Sequence, residues 1–348
     1  MAGFDFLIPG DPSTPTGGYI YDRRIAQGMR DIGWRVSVHV LDAGFPFPSA
    51  AALDHAESVL ERIPSGGLVL IDGLAMGAMP RVVASQSRRL RLVALVHHPL
   101  AEETGLSNDC ARALRLSERQ ALAAASRIVV TSRYTAGLVT AMGVSPRLIH
   151  IVQPGTDPAP VAKGSGTSNI NLLCVATLTP RKGHATLIEA LADLKGLDWE
   201  LTCVGSTAID PATVAQLRNR IKRHRLGERV HLVGEVDRVA LAGLYDRADL
   251  FVLATRFEGY GMALAEALAR GLPIVSTRTG AIPETVPAEA ALLVPPDDVA
   301  ALSAALGRVM SNRGLRERMA HGAQKARERL MDWRSACLRM EQALPVTR

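Results

Sequence analysis

"DLFVLATRFEGYGMALAEALARGLPIVST", residues 249–277, is the stretch on which the fold turns. Its opening run, 249–255, is apolar, of strand length, and ends at Thr255. Gly259 and Gly261 disfavour helix until Met262, after which "MALAEALARG" is rich in strong helix formers and stops at Gly271. "PIVST" (273–277) reads as the next strand. Glu258 is therefore placed in a loop at a strand's carboxyl end, and Glu266 in the first turns of the helix that follows. The glycines let a ligand approach the backbone, and the free N–H groups of the helix start suit an anion. A phosphate there gains about 0.3–2 kcal/mol from the helix dipole. Carboxylates repel phosphate but accept from hydroxyl groups. The stretch thus reads as phosphates on the amides and sugar hydroxyls on the glutamates.

The same alternation runs outward in both directions. Upstream strand runs are 4–8, 35–41, 68–72, 91–96, 127–132 and 148–152, with helix-length segments such as 19–31 between them and Gly33 as a stop. Residues 154–169 hold three prolines, three glycines and no apolar period, and read as a linker. Strand runs resume at 171–177, 199–205, 229–234, 249–255, 273–277 and 291–295. Alternation of this kind implies parallel sheets wrapped by helices. A chain of 348 residues exceeds one ordinary core, so the expectation is two doubly wound, Rossmann-like α/β domains, 1–156 and 157–330, facing each other across a cleft. In the tail, Leu315, Met319, Ala323, Ala326, Leu330, Trp333, Cys337, Met340 and Leu344 form one helical stripe, with Asp332 able to cap a fresh helix start. Residues 331–348 are expected to cross back and pack on the N-terminal domain.

Composition removes several function classes. Cys110, Cys174, Cys203 and Cys337 are scattered, without CxxC or a Cys/His cluster, and read as reduced core residues. The N-terminus lacks the basic-then-apolar pattern of a signal peptide, and no apolar run is long enough to span a bilayer, so a cytoplasmic protein is expected. The net charge of +6 has no nucleic-acid motif or aromatic interleaving beside it, which argues against nucleic acid. Arginines of the first half leave room for peripheral contact with anionic lipid.

Three further stretches carry chemistry. "TPRKG" (179–183) is a tight turn after a strand, with Arg181 and Lys182 placed to hold phosphate by charge-assisted bonds of about 1.5–3 kcal/mol each. Gly17 and Gly18 end a loop after the first strand, without the GxGxxG of a dinucleotide site, and bring backbone near a phosphate. His97 and His98 follow the run 91–96 directly. No Asp-x-Asp occurs, so the carboxylate clamp for a metal is missing, and neither a metal nor a cofactor is expected.

These pieces closely resemble glycosyltransferase family 4, the retaining enzymes of the GT-B fold. The resemblance spans nearly the whole chain, from "TGGYIYDRRIAQGMRDIGWRVSVHVL" (16–41) through "TLTPRKGHATLIEAL" (177–191) and residues 233–277 to "GAIPETV" (280–286). The E-x7-E element of Glu258 and Glu266 is its most specific part. The resemblance implies a donor that is a nucleotide diphosphate sugar, with Glu258 on the sugar and Glu266 on the ribose. It implies that main-chain groups of Gly259, Tyr260, Gly261 and Met262 hold sugar and diphosphate, and that Lys182 with Arg181 neutralises the leaving diphosphate. It places Gly17 and Gly18 opposite that diphosphate and His97 in the active site, with His98 a secondary candidate; His97, Glu258 and Lys182 are the expected catalytic set. The first domain would bind the acceptor, a small molecule, glycan or lipid, and the second the donor. Two positions depart from the pattern: Thr177 stands where many members have arginine, and Ala281 where a second glycine is common. Competing readings are a phosphorylase or nucleotide-sugar epimerase on the same plan, and a non-catalytic nucleotide-sugar-binding module.

Overall fold

The structure is a computed structural model and describes residues 2–345. The chain divides into two compact units, one reaching to Gly155 and resuming at Met331, the other Thr156–Leu330. The first is built on β1 (Gly3–Pro9), β2 (Arg35–Leu41), β3 (Leu68–Asp72), β4 (Arg91–Val96), β5 (Arg127–Val130) and β6 (Ile149–Ile151). They form one all-parallel sheet in the order β2-β1-β3-β4-β5-β6. The second holds β7 (Ile170–Val175), β8 (Trp199–Val204), β9 (Val230–Gly234), β10 (Leu250–Leu253), β11 (Ile274–Thr277) and β12 (Ala291–Val294). Their order is β12-β11-β10-β7-β8-β9, again all parallel. Both are doubly wound, Rossmann-like sheets.

All twelve apolar runs become strands, because a parallel sheet covered on both faces needs continuous apolar sequence. β3 is the clearest case, with all five residues buried. Several strands stop short of their apolar run at the carboxyl end. Thr255 lies beyond the end of β10, with its hydroxyl 3.0 Å from the carbonyl oxygens of Arg181 and Phe257. Residues at strand ends thus serve the loops where ligands bind in such sheets.

Two expectations need correcting. The helix after β1 spans Gly17–Asp31, so Gly17 and Gly18 are its first two residues and not the end of a loop. The supposed linker is largely fastened to the second unit: Ala162 N–H donates to Arg270 O, Lys163 and Gly164 N–H to Asp246 O, and Arg327 to Ala159 O. Its prolines and glycines suit an extended, hydrogen-bonded segment as well as a free one.

The C-terminal stripe is shared between the units. Helix Arg313–Arg327 buries Met319 and Ala323 in the second core. The chain then breaks, and helix Trp333–Ala343 starts afresh with Asp332 accepting from Ser335 N–H at 2.7 Å. This helix lies on helix Gly17–Asp31 and buries Ala336, Cys337 and Met340 completely. Burying the methionine alone is worth about 1.5–3 kcal/mol. The approach is close because Gly28 has no side chain, and a Cβ there would overlap Cys337 Sγ. Trp34 Nε1–H donates to Glu341 at 3.0 Å, and Arg24 stacks 4.9 Å over Trp333. Among the described residues, no helix is long and apolar enough to cross a membrane.

Candidate active site

In the second sheet the strand order reverses between β7 and β10. Such a switch point opens a crevice at the carboxyl ends of its strands. The loop after β7 carries Arg181 and Lys182, and the loop after β10 carries Glu258. The two loops are tied together, with Arg256 N–H donating to Arg181 O at 2.7 Å and Arg181 Nη1 to Phe257 O at 3.2 Å. Gly183 makes the crossing feasible. Its φ is +68°, and a Cβ there would overlap Ala254 O. Gly280 does the same under Glu258, where Ala281 N–H donates to Glu258 O at 2.9 Å. Ala281 itself is fully buried.

Lys182 Nζ donates to Glu258 Oε1 at 2.5 Å, with side chains 16% and 9% exposed. Sequence reasoning gave these two residues separate tasks, and the fold joins them across 76 positions. Burial works to raise the Glu258 pKa, but Lys182, Arg181 and the hydrogen bonds of Lys182 and Thr255 hold it below the ordinary range. Burial pulls Lys182 down, and Arg181 adds to this against the attraction of Glu258. The crevice is thus richer in cation than its single carboxylate can balance.

Beyond Glu258 the chain enters helix Met262–Ala269 through Gly261, at φ +94° and with no side-chain cap. The first N–H groups of this helix are therefore open to an anion. Tyr260 is buried, its carbonyl taken by Thr285 Oγ1 at 2.6 Å, and burial pushes its phenol up to about 12. Glu266 Oε2 accepts from Tyr245 Oη at 3.0 Å, while Arg270 stacks 4.1 Å over the Tyr245 ring and donates to Glu266 O. Burial raises the Glu266 pKa, against Tyr245 and Arg270. Oε1 has no partner among the described residues and is the atom left for a ligand hydroxyl.

In the first unit His97 leaves the carboxyl end of β4. Its Nε2 lies 3.0 Å from Asp22 Oδ1 and 3.2 Å from Asp72 Oδ2. Tyr21 meets the ring edge-on at 5.2 Å between centroids. A Cβ on Gly18 would lie 3.5 Å from His97 Cδ2, so the helix start rests against this ring, while Gly17 is exposed. Burial works to lower the His97 pKa, and the two carboxylates outweigh it and raise it to about 10. Asp22 is pushed up to about 7, first by burial, with Asp72 adding and His97 opposing. His98 stands outside this cluster, 3.5 Å from Glu103.

Neither Asp22 nor Asp72 was found by sequence reasoning; one sits inside a helical pattern and the other closes an apolar run, so neither forms a motif with His97. The fold also brings together a Cys/His group that sequence spacing did not show. Cys174 and Cys203 are partners in the β7–β8 register, and His184 Nε2 lies 3.6 Å from Cys174 Sγ. The three ligand atoms lie within 4.8 Å of one another, as do those of Asp22, Asp72 and His97. His184 Nδ1 is buried without a partner, whereas a metal-bound imidazole donates its second N–H. The trio packs as core. In the other cluster, Nε2 lies within hydrogen-bonding distance of both carboxylates, and when it donates to them it has no lone pair for an ion.

Known proteins are similar to this chain in sequence and in fold. The family model for Glycosyl transferases group 1 matches residues 159–326, and that for Glycosyltransferase Family 4 matches 21–160. The chain is 30% identical over 310 residues to the MMP alpha-(1->4)-mannosyltransferase of Mycolicibacterium hassiacum, covering 84% of this chain and 74% of that protein. In fold it is similar to a sucrose-phosphate synthase from Thermosynechococcus elongatus, with TM-score 0.84, 20% identity and 98% of each chain covered. HepE from Anabaena, solved in complex with UDP-glucose, gives a TM-score of 0.79 at 19% identity, over 98% of this chain and 99% of that one.

Proposed function

The chain belongs to the family 4 glycosyltransferases, and from that premise we propose that it moves a sugar from a nucleotide diphosphate sugar to an acceptor hydroxyl, with retention and without a metal ion. The observation that carries the reading is the pairing of Lys182 with Glu258 beside the switch point of the second sheet. An ammonium has three donors, so Lys182 can hold Glu258 and a diphosphate oxygen together. When the sugar–phosphate bond breaks, negative charge develops on the diphosphate. Lys182, Arg181 and the first N–H groups of helix Met262–Ala269 are preorganised to meet it, in the place a divalent cation would otherwise take. Glu258 is then kept ionised beside the sugar hydroxyls, and Glu266 offers Oε1 to the ribose.

Retention follows if the acceptor oxygen attacks from the face the diphosphate leaves, with a diphosphate oxygen accepting its proton. The first unit is assigned to the acceptor, a small molecule, a glycan or a lipid. The test is a thermal-shift screen against UDP-, GDP- and ADP-sugars, followed by product analysis with the donor that responds. A ligand at 100 times its dissociation constant adds about 2.7 kcal/mol of stability. No shift with any of the three classes would refute the proposal, and inversion at the anomeric carbon would refute its stereochemistry.

A further inference from the structure

We propose that Asp22 is a positioning residue that keeps His97 an imidazolium, so that His97 serves the transfer as an oriented cation and never as its base. The inference rests on the transfer reading only in its kinetic consequence.

Asp22 sits on the buried side of helix Gly17–Asp31, among Tyr21, Ile25, Ala26 and Met29, and is itself fully buried. Fold stability alone would place an apolar side chain there, because an isolated buried carboxylate is costly. Asp72 has a local task as well, since its Oδ1 accepts from Leu74 N–H at 2.8 Å and caps a short helix. Asp22 has none. Oδ1 meets His97, and Oδ2 is buried without a partner. Its polar neighbours are His97 and the second carboxylate of the cluster, Asp72.

Both carboxylates converge on the same ring nitrogen, which fixes the proton on Nε2 and the plane of the ring. The ionisable groups packed on His97 are Asp22 and Tyr21 from the helix and Asp72 from the end of β3. Thr131, just past β5, donates its hydroxyl to the His97 carbonyl at 3.1 Å and adds no charge. Tyr21 stays neutral, its phenol driven well up by burial and its hydroxyl donating to Val152 O at 2.9 Å. The charge that His97 meets is thus carboxylate alone, and it favours the protonated ring far above neutrality. A base must be unprotonated at working pH, and the two carboxylates on Nε2 work against that state in His97.

The experiment is an NMR titration of the imidazoles in the full-length protein, with the His97 signal assigned by its loss in His97→Gln. In the wild type His97 stays protonated through pH 8.5. In Asp22→Asn its titration moves down by about 1–3 pH units, as expected on losing an adjacent charge. In the same variant kcat for donor turnover falls while the donor KM holds, and the pH profile gains a limb at the new His97 value. A wild-type His97 that titrates near the ordinary 6.5 overturns the inference, and so does an Asp22→Asn protein whose His97 titration or kcat is unchanged. The wild-type titration needs neither a donor nor a stable variant. It can therefore fail, or succeed, independently of the transfer reading, whose own failure would show as a wild type that turns over no donor.

Discussion

Replacing Glu258 by glutamine leaves the Lys182 ammonium facing an amide in a crevice where the two side chains are 16% and 9% exposed. Breaking such a buried pair from one side costs about 3–5 kcal/mol, because the remaining charge is stranded. Lys182 has one escape, the loss of its proton, which burial and Arg181 already favour. The lower end, about 3 kcal/mol, is therefore expected. In a unit of this size each kcal/mol moves the melting temperature by about 2–4 °C, so Glu258→Gln should melt roughly 6–12 °C below wild type at pH 7.5. The pH dependence has a definite sign. The folded-state pKa of Glu258 is depressed, so its stabilisation is present above the ordinary 4.5 and is lost as pH falls through the lower folded value. The gap between the two proteins should narrow only below about pH 4.5. The second change in Glu258→Gln/Lys182→Met should recover most of the loss, since an apolar replacement strands no charge. Differential scanning calorimetry across pH measures all three proteins. A Glu258→Gln variant that melts within a degree of wild type at pH 7.5 would refute the claim that this pair is a buried, charged couple.

Lys182→Ala should lower kcat for donor hydrolysis by about a hundred- to a thousand-fold, with Arg181→Ala less affected because its Nη1 is already committed to Phe257 O; steady-state kinetics decides. Glu266→Gln should weaken binding of the bare nucleoside diphosphate. Tyr245→Phe, which frees the carboxylate it now holds, should do so by about 1 kcal/mol in isothermal titration. Donor turnover should survive EDTA, and loss on chelation that Mg²⁺ or Mn²⁺ restores would show that the cations of the Lys182 turn do not suffice.

The layout of the fold was legible because parallel sheets leave a plain mark, the unbroken apolar run. The bounds of strands were less so: Thr255 is as strand-like as its neighbours, yet it lies beyond the end of β10 with its hydroxyl on Arg181 O, a bond between loops 74 residues apart. The candidate site divided in the same way. Glu258, Glu266 and Lys182 were visible because glycines and turn residues surround them. Their mutual engagement was not, since sequence spacing carries no distance across a sheet. Gly17 and Gly18 were read as loop on intrinsic propensity, yet they form the first turn of a helix whose start lies against His97. Asp22 was hidden most completely. A carboxylate on the inner stripe of a helix looks like noise in an amphipathic pattern until the histidine from another strand arrives beside it.

Helix Trp333–Ala343 belongs to the first unit, although 175 residues of the second unit precede it in the chain. The order of synthesis therefore differs from the order of completion. At translation rates of about 5–20 residues per second, the first sheet waits roughly 10–35 s for the helix that covers Tyr21 and Gly28. The second unit, one uninterrupted segment, has all its parts before the first is finished. During that interval the face of helix Gly17–Asp31 that the last helix will cover stays open, Tyr21 lacks its contact with Trp333, and Tyr21 is one of the rings packed on His97. The first unit to begin is the last to be sealed, and the residues that hold His97 are among those that wait.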